Sequence, residues 1–323
     1  MKNILINISL IGSLILLYSC SQKTSNPVEP NISMTWTKIS SGLTNMNVIT
    51  LVASGTYLFA GTYGGGIFCS TNYGKSWNAV GTYLWNAYDT YALAISGTNV
   101  FAGTKGGGVY LSTDNGKSWN AVHAGLNGYG SQYVYALAVS GNTLLAGTEG
   151  SGVFLSTNNG TNWNAINNGL KNLTIQALGI SGTNFLTEAG NVAYISTDNG
   201  TNWNEINTDF GNNYITSFAV YGTNLFAGTN GGGVFLSTNN GTSWTAINSG
   251  LTGDYSSYVS ALVFYGTSLF AGTYGGVFLS TNNGASWTNV GLTNISVKVL
   301  IVAGNDILAG TYDGVWRSTI SLK

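Results

Sequence analysis

An eight-residue pattern, Ser-Thr-(Asn/Asp)-x-Gly-x-x-Trp, starts at Ser70, Ser112, Ser156, Ser196, Ser237 and Ser280. The interval between starts runs from 40 residues (Ser156 to Ser196) to 44 (Ser112 to Ser156). A unit of that length cannot bury an apolar face alone and must stack on its neighbours, so this repeat limits the fold more than any other feature. Short strand-like runs and glycine turns fill each period, which predicts propeller blades of four antiparallel strands.

The pattern has a local logic. Val234–Ser237 reads as a strand and Ser243–Ile247 as the next, with Asn239-Asn240-Gly241 supplying the positive φ that a tight connection needs. The Asn or Asp at the third position is expected to accept backbone N–H groups of its own turn. The Trp at the eighth is expected to fill the gap between blades, its indole N–H finding a carbonyl. Asp114 and Asp198 occupy the third position in two copies while the others carry Asn, which argues against a metal there.

A first strand recurs as VITLVASG (48–55), TYALAISG (90–97), VYALAVSG (134–141), IQALGISG (175–182), ITSFAVYG (215–222), VSALVFYG (259–266) and VKVLIVAG (297–304), giving seven units. The seventh unit stops at Val315–Thr319 without a fourth strand. Met34–Leu43 reads like Thr242–Leu251, with Trp36 standing where Trp244 stands. The expected fold is therefore all-β: a single seven-bladed propeller over 34–323, with residues 34–41 completing the last blade and closing the ring.

Ahead of it, residues 1–20 read as a targeting segment. Lys2 supplies a basic start, and the apolar stretch Ile4–Tyr18 falls short of the about 20 residues a bilayer span takes. Leu17-Tyr18-Ser19-Cys20 resembles a lipobox, which implies a lipid on Cys20 and a protein anchored to a membrane without crossing it. An ordinary signal peptide with a chance cysteine is the alternative. Residues 21–33 contain both prolines and read as a flexible tether. The expected location is the bacterial cell envelope, at the outer membrane or cell surface. Charged residues are 7% of the chain and the net charge is −1, so no basic patch invites nucleic acid. Cys69 takes the place of Leu111, Leu155 and Leu236 and is expected to be a buried apolar residue.

The boxes resemble the Asp-box, or bacterial neuraminidase repeat, Ser-x-Asp-x-Gly-x-x-Trp. The resemblance spans about residues 34–318 and implies a β-propeller, but fold alone does not carry function. The family includes sialidases, xyloglucan-degrading enzymes, sortilin-type receptors and photosystem assembly factors. Sialidases hold their substrate carboxylate with three arginines, whereas this chain has only Arg317. The xyloglucan-degrading relatives place two Asp in a cleft between two propellers, and only one propeller is expected here. The photosystem assembly factors are single seven-bladed, lipid-anchored propellers with an arginine-rich face that this chain lacks; that resemblance supports a scaffold role.

Scaffold and site separate by comparing the repeats with one another. The blade-to-blade loops and the glycine turns between second and third strands share one face. The boxes fill the other. On the first face the longer loops (Trp77 to Thr90, Trp119 to Val134, Trp244 to Val259) carry Trp85, Tyr88, Tyr129, Tyr133, Tyr255 and Tyr258. The second residue of the first strand varies (Ile49, Tyr91, Tyr135, Gln176, Thr216, Ser260, Lys298), as does the turn residue after Ala-Gly-Thr (Tyr63, Lys105, Glu149, Asn230, Tyr274, Tyr312). Amphipathic rings with few degrees of freedom suit sugars or peptides. Trp85, Tyr88, Tyr91, Tyr129, Tyr133, Tyr135, Tyr255 and Tyr258 are therefore the candidate ligand residues; tyrosines merely covering loop backbone are the alternative.

No catalytic residues, metal ligands or cofactor site are expected. Asp89 and Asp254 sit in loops of nearly opposite blades, beyond the about 5–10 Å of a glycosidase pair. Glu149 and Glu188 fall in adjacent turns and read as solvated. His123 has no companions for a metal or acid–base role, and the glycine turns lack the following helix of a phosphate loop. The expected function is a non-catalytic, monomeric envelope module binding a glycan or protein; the alternative is a glycoside hydrolase with unrecognised carboxylates.

Overall fold

The computed structural model describes residues 34–80, 89–206, 210 and 213–319. The targeting segment 1–20 with Cys20, the tether 21–33, and the candidate residues Trp85 and Tyr88 lie outside them. Every described element is a strand or turn, arranged as seven sheets of four antiparallel strands. In blade 1 these are Val48–Ser54, Tyr57–Thr62, Gly66–Ser70 and Asn78–Ala79, running outward from the channel, and the later blades repeat this order.

The ring closes as the repeat demands. Trp36–Lys38 pairs antiparallel with Gly314–Thr319, in the register Trp36↔Ser318, Thr37↔Arg317 and Lys38↔Trp316. The amide of Ile39 then donates to the carbonyl of Val315 at 2.8 Å. The seventh blade is thus built from both ends of the propeller.

Each blade buries both faces. In the second strand of blade 1, Leu58 and Ala60 meet blade 7, whereas Phe59 points the other way onto Leu93, Val100 and Tyr110 of blade 2. One apolar cluster fills each of the seven gaps. Burial of a Phe or Leu side chain is worth about 1.5–3 kcal/mol, so the core is distributed around the ring. Cys69 joins the gap between blades 1 and 2, and burial pushes its thiol up to about 11.

The boxes work as the sequence suggests. In the copy at 237–244, Ser237 Oγ accepts the N–H of Gly241 at 2.8 Å and donates to Asn239 Oδ1 at 2.9 Å. Asn239 Oδ1 also accepts the N–H of Ser243 at 2.9 Å, while Asn240 and Gly241 take φ of 53° and 83°. The box tryptophans then stitch neighbouring blades. Trp77, Trp119, Trp163, Trp203 and Trp287 donate their indole N–H to the carbonyls of Ile39, Val80, Val122, Ile166 and Ile247. Each acceptor lies three residues after the tryptophan of the preceding blade. Trp36 does the same to Val290, so the blade formed from both ends is stitched on both sides.

Candidate ligand-binding mouth

The first strand of every blade begins with the same irregularity. Its first and third residues pair with the second strand, and the register shifts at the residue between them. A β-bulge leaves that residue unpaired and re-aims its side chain. The seven bulged residues are Ile49, Tyr91, Tyr135, Gln176, Thr216, Ser260 and Lys298, the variable position of the repeat. Together they ring one end of the channel, a mouth whose chemistry differs from blade to blade.

Two of the seven serve the scaffold. Thr216 Oγ1 donates to the carbonyls of Gly228 and Val259, and Ser260 Oγ to those of Gly272 and Val297, tying blades 5, 6 and 7 together. On the other side Ile49, Tyr91, Tyr135 and Gln176, with Tyr63 from the turn of blade 1, line a hollow of about 390 Å³. Tyr91 and Tyr135 meet edge to face, ring centroids 5.1 Å apart at 82°. A neighbouring hollow of about 430 Å³ is lined by Tyr91, Lys105, Tyr129, Gly130, Tyr133, Tyr135 and Glu149.

Paired charges hold this wall. Asp89 is buried; its Oδ1 accepts the N–H of Gly64 at 2.6 Å and its Oδ2 lies 3.5 Å from Lys105 Nζ. Lys105 Nζ also stands 5.9 Å from the Tyr63 ring centroid. Its ammonium is held above the usual lysine range by the phenols of Tyr91 and Tyr63 and then by Asp89. Burial, and after it the hydrogen bond to Glu149, raises the Tyr135 phenol well above its ordinary value. Tyr91 is raised chiefly by burial.

The structure divides the sequence candidates. Tyr91, Tyr129, Tyr133 and Tyr135 converge on the two hollows, with Tyr129 97% exposed at the rim. Tyr255 and Tyr258 belong instead to a separate cluster on blade 6. Tyr258 stacks on Tyr274 at 5.7 Å and 17°, with Tyr255 5.9 Å from Tyr258. Tyr63, Lys105, Glu149 and Gln176 also line the site. Their signal was the variation at the bulge and turn positions of the repeat, which counts for more than loop length.

Glu188 needs correcting. It is not a solvated turn residue: it lies in the strand Asn184–Ala189 and is 3% exposed. The other blades have glycine at this place, where a Cβ would press on the next blade; that of Gly228 would lie 2.6 Å from Val259 Cγ1. Glu188 Oε1 accepts the N–H of Asn191 at 2.6 Å, and burial raises its carboxyl above the usual range. His123 packs edge to face near Tyr110, ring centroids 6.5 Å apart, away from both hollows.

Fold and boxes together define the class: a seven-bladed β-propeller built on Asp-box turns. The family model described as BNR/Asp-box repeat matches residues 110–121 and 194–205, so the chain carries BNR/Asp-box repeats. These matched copies are the ones with Asp114 and Asp198 at the third position. Comparison with curated protein sequences finds no match.

Solved structures share the fold. The extracellular domain assigned to the one-component system BT4673 of B. thetaiotaomicron is 17% identical, with a TM-score of 0.70 over 87% of this chain. This chain spans only 39% of that one. YCF48, solved bound to D1 peptide, is 12% identical with a TM-score of 0.70, covering 91% of this chain and 96% of its own. The GH74 xyloglucanase from Xanthomonas campestris is 17% identical with a TM-score of 0.68, covering 89% of this chain and 54% of its own. At such identities the likeness concerns the fold.

Proposed function

We propose that the protein is an exported binding module that takes a carbohydrate at the mouth of its propeller. The observation that carries this reading is the pair of adjacent bulges that aim Tyr91 and Tyr135 into one hollow with Tyr63 and Gln176. Tyrosine faces give contact area at little entropic cost, and the surrounding amide and hydroxyl groups match sugar hydroxyls. Export and a lipid on Cys20 are part of the proposal. They rest on the apolar leader and the lipobox, and agree with an extracellular domain sharing the fold.

Two other readings have specific support. YCF48 has this fold and is bound to a peptide, which favours a protein ligand. The GH74 xyloglucanase favours hydrolysis, for which Asp89 and Glu149 are the carboxylates beside the hollows. The full chain carrying Cys20→Ser is to be tested on an array of polysaccharides and peptidoglycan fragments, beside a Tyr91→Ala, Tyr135→Ala variant. Binding to one glycan class that the variant loses supports the reading. Shortening of the bound glycan, abolished by Asp89→Asn or Glu149→Gln, would replace it with hydrolysis. Absence of glycan binding would leave the peptide reading.

A further inference from the structure

The mouth holds two lysines in opposite circumstances. Lys105 is neutralised by Asp89 at 3.5 Å. Lys298, the bulged residue of blade 7, is not: among the described residues the ion pairs are Lys38–Asp313, Lys105–Asp89 and Lys171–Glu205. The acid next in sequence to its cage, Asp313, is bound by Lys38 at 2.6 Å.

Two aromatic faces position the ammonium. Lys298 Nζ stands 4.2 Å from the ring centroid of Tyr274 and 4.2 Å from that of Tyr312. Cation–π contacts hold a charge in place without cancelling it. Tyr274 is itself buttressed by the stacked Tyr258. Tyr312 is 58% exposed, so the cage opens to solvent. Glu188 is buried and its Oε1 is taken by the N–H of Asn191; among the described residues it forms no ion pair with the lysine.

Tyr274, Tyr312 and Tyr63 occupy the same turn of blades 6, 7 and 1, which are consecutive in the ring. The tyrosines of the rim therefore run from the Lys298 cage to the hollow of Tyr91 and Tyr135. Such a track suits an extended chain of sugar rings, with one fixed cation beside it.

Resting on the carbohydrate reading above, we propose that Lys298 with Tyr274 and Tyr312 forms a carboxylate-binding subsite, and that the ligand is an acidic polysaccharide built from uronic acids. The ammonium takes the carboxylate while the flanking rings take the sugar faces. Bare tyrosines would not discriminate charged from neutral sugars; the unpaired lysine does.

The test uses oligogalacturonate, oligoalginate and hyaluronate oligomers, each beside its carboxyl methyl ester, with calorimetry on the full chain carrying Cys20→Ser. Removing one charge-assisted hydrogen bond from a binding site weakens affinity about ten- to hundredfold. The expected result is binding of at least one acidic oligomer that weakens by that factor on esterification, in Lys298→Met, and with added salt. Lys298→Arg should restore most of it, and Lys298→Met should melt with the wild type. Equal binding of acid and ester, or an acid affinity untouched by Lys298→Met, overturns the subsite. If neutral glycans still bind and Tyr91→Ala, Tyr135→Ala abolishes that binding, the carbohydrate reading stands alone. Failure of every oligomer, acidic or neutral, on this panel and the wider array removes both.

Discussion

The indole N–H of Trp36 donates to the carbonyl of Val290 at 3.0 Å, across 254 residues of chain. The same bond recurs from Trp77 to Ile39 on the other side of the seventh blade. These contacts, with the three residue pairs of Trp36–Lys38, hold the seam of the ring. Trp36→Phe keeps most of the ring area and loses the hydrogen bond, an expected cost of about 1 kcal/mol. Trp77→Ala empties a buried site and should cost about 3–5 kcal/mol. Deleting residues 34–41 should lower the melting temperature and broaden the transition. An unchanged denaturation profile in that truncation would refute closure as a source of stability.

Acid should act on the boxes unevenly. Hydrogen bonds from Ser118, first its hydroxyl and then its amide, hold the Asp114 carboxyl down to about 2, and those from Asn202, first its side chain and then its amide, hold Asp198 below the usual carboxylate range. A folded-state value below the unfolded one contributes stability that is complete above the unfolded value and is lost as pH falls through the folded one. The wild type should therefore lose stability between about pH 4 and pH 2 that the Asp114→Asn, Asp198→Asn variant retains. Urea midpoints of both proteins across that interval check this. Parallel curves would show that these boxes do not feel the charge.

Glu188 should show the opposite sign. Its folded-state value is raised by burial, so its contribution is complete below the unfolded value and declines as pH rises through the folded one. Glu188→Gln keeps an acceptor for the Asn191 amide and removes the buried charge. The variant should be more stable than the wild type at about pH 7, with the advantage vanishing near pH 4. A variant less stable at every pH would mean that the carboxylate has a partner worth more than its desolvation.

Tyr135 should titrate late. Burial first, and Glu149 second, raise its phenol. Phenolate absorbance on alkaline titration should show one fewer late-ionising tyrosine in Tyr135→Phe. In Glu149→Gln the late step should move part of the way back, since burial persists. No movement would mean that the carboxylate does not sense the phenol.

Cys69 should be inert in the folded protein. Its thiol is buried and pushed up to about 11, so the reactive thiolate is scarce at neutral pH. In a Cys20→Ser background, alkylation by iodoacetamide should await unfolding. Rapid labelling under native conditions would show that the gap between blades 1 and 2 opens.

The architecture was legible because each blade repeats the same solution. Six boxes and seven first strands set the blade count, and the match of Trp36 to Trp244 locates the seam. The indole stitches were legible in kind, since a Trp between blades needs an acceptor, although the acceptor itself emerged only from the packing. The site was legible in part. Tyr91 and Tyr135 stand out because their position varies where its neighbours do not, but the bulge that aims them leaves no mark in composition. Tyr255 and Tyr258 share a long loop with the same residue types but stand beside Tyr274 and not at the hollow of Tyr91 and Tyr135, because ring position, which loop length does not encode, decides which loops meet. Glu188 was misread because a carboxylate in place of glycine resembles a turn residue until the strand register is known.

The seam strand also has a direction. Gly314–Thr319 runs from the turn of Tyr312 on the mouth side to the box side, and Trp36 pairs with Ser318 near its far end. The chain therefore enters the propeller at Met34 on the box side, opposite Tyr91, Tyr135 and Lys298. Closing the ring thus also gives it a polarity: the amino-terminal strand starts on one face, and the variable bulge residues open on the other.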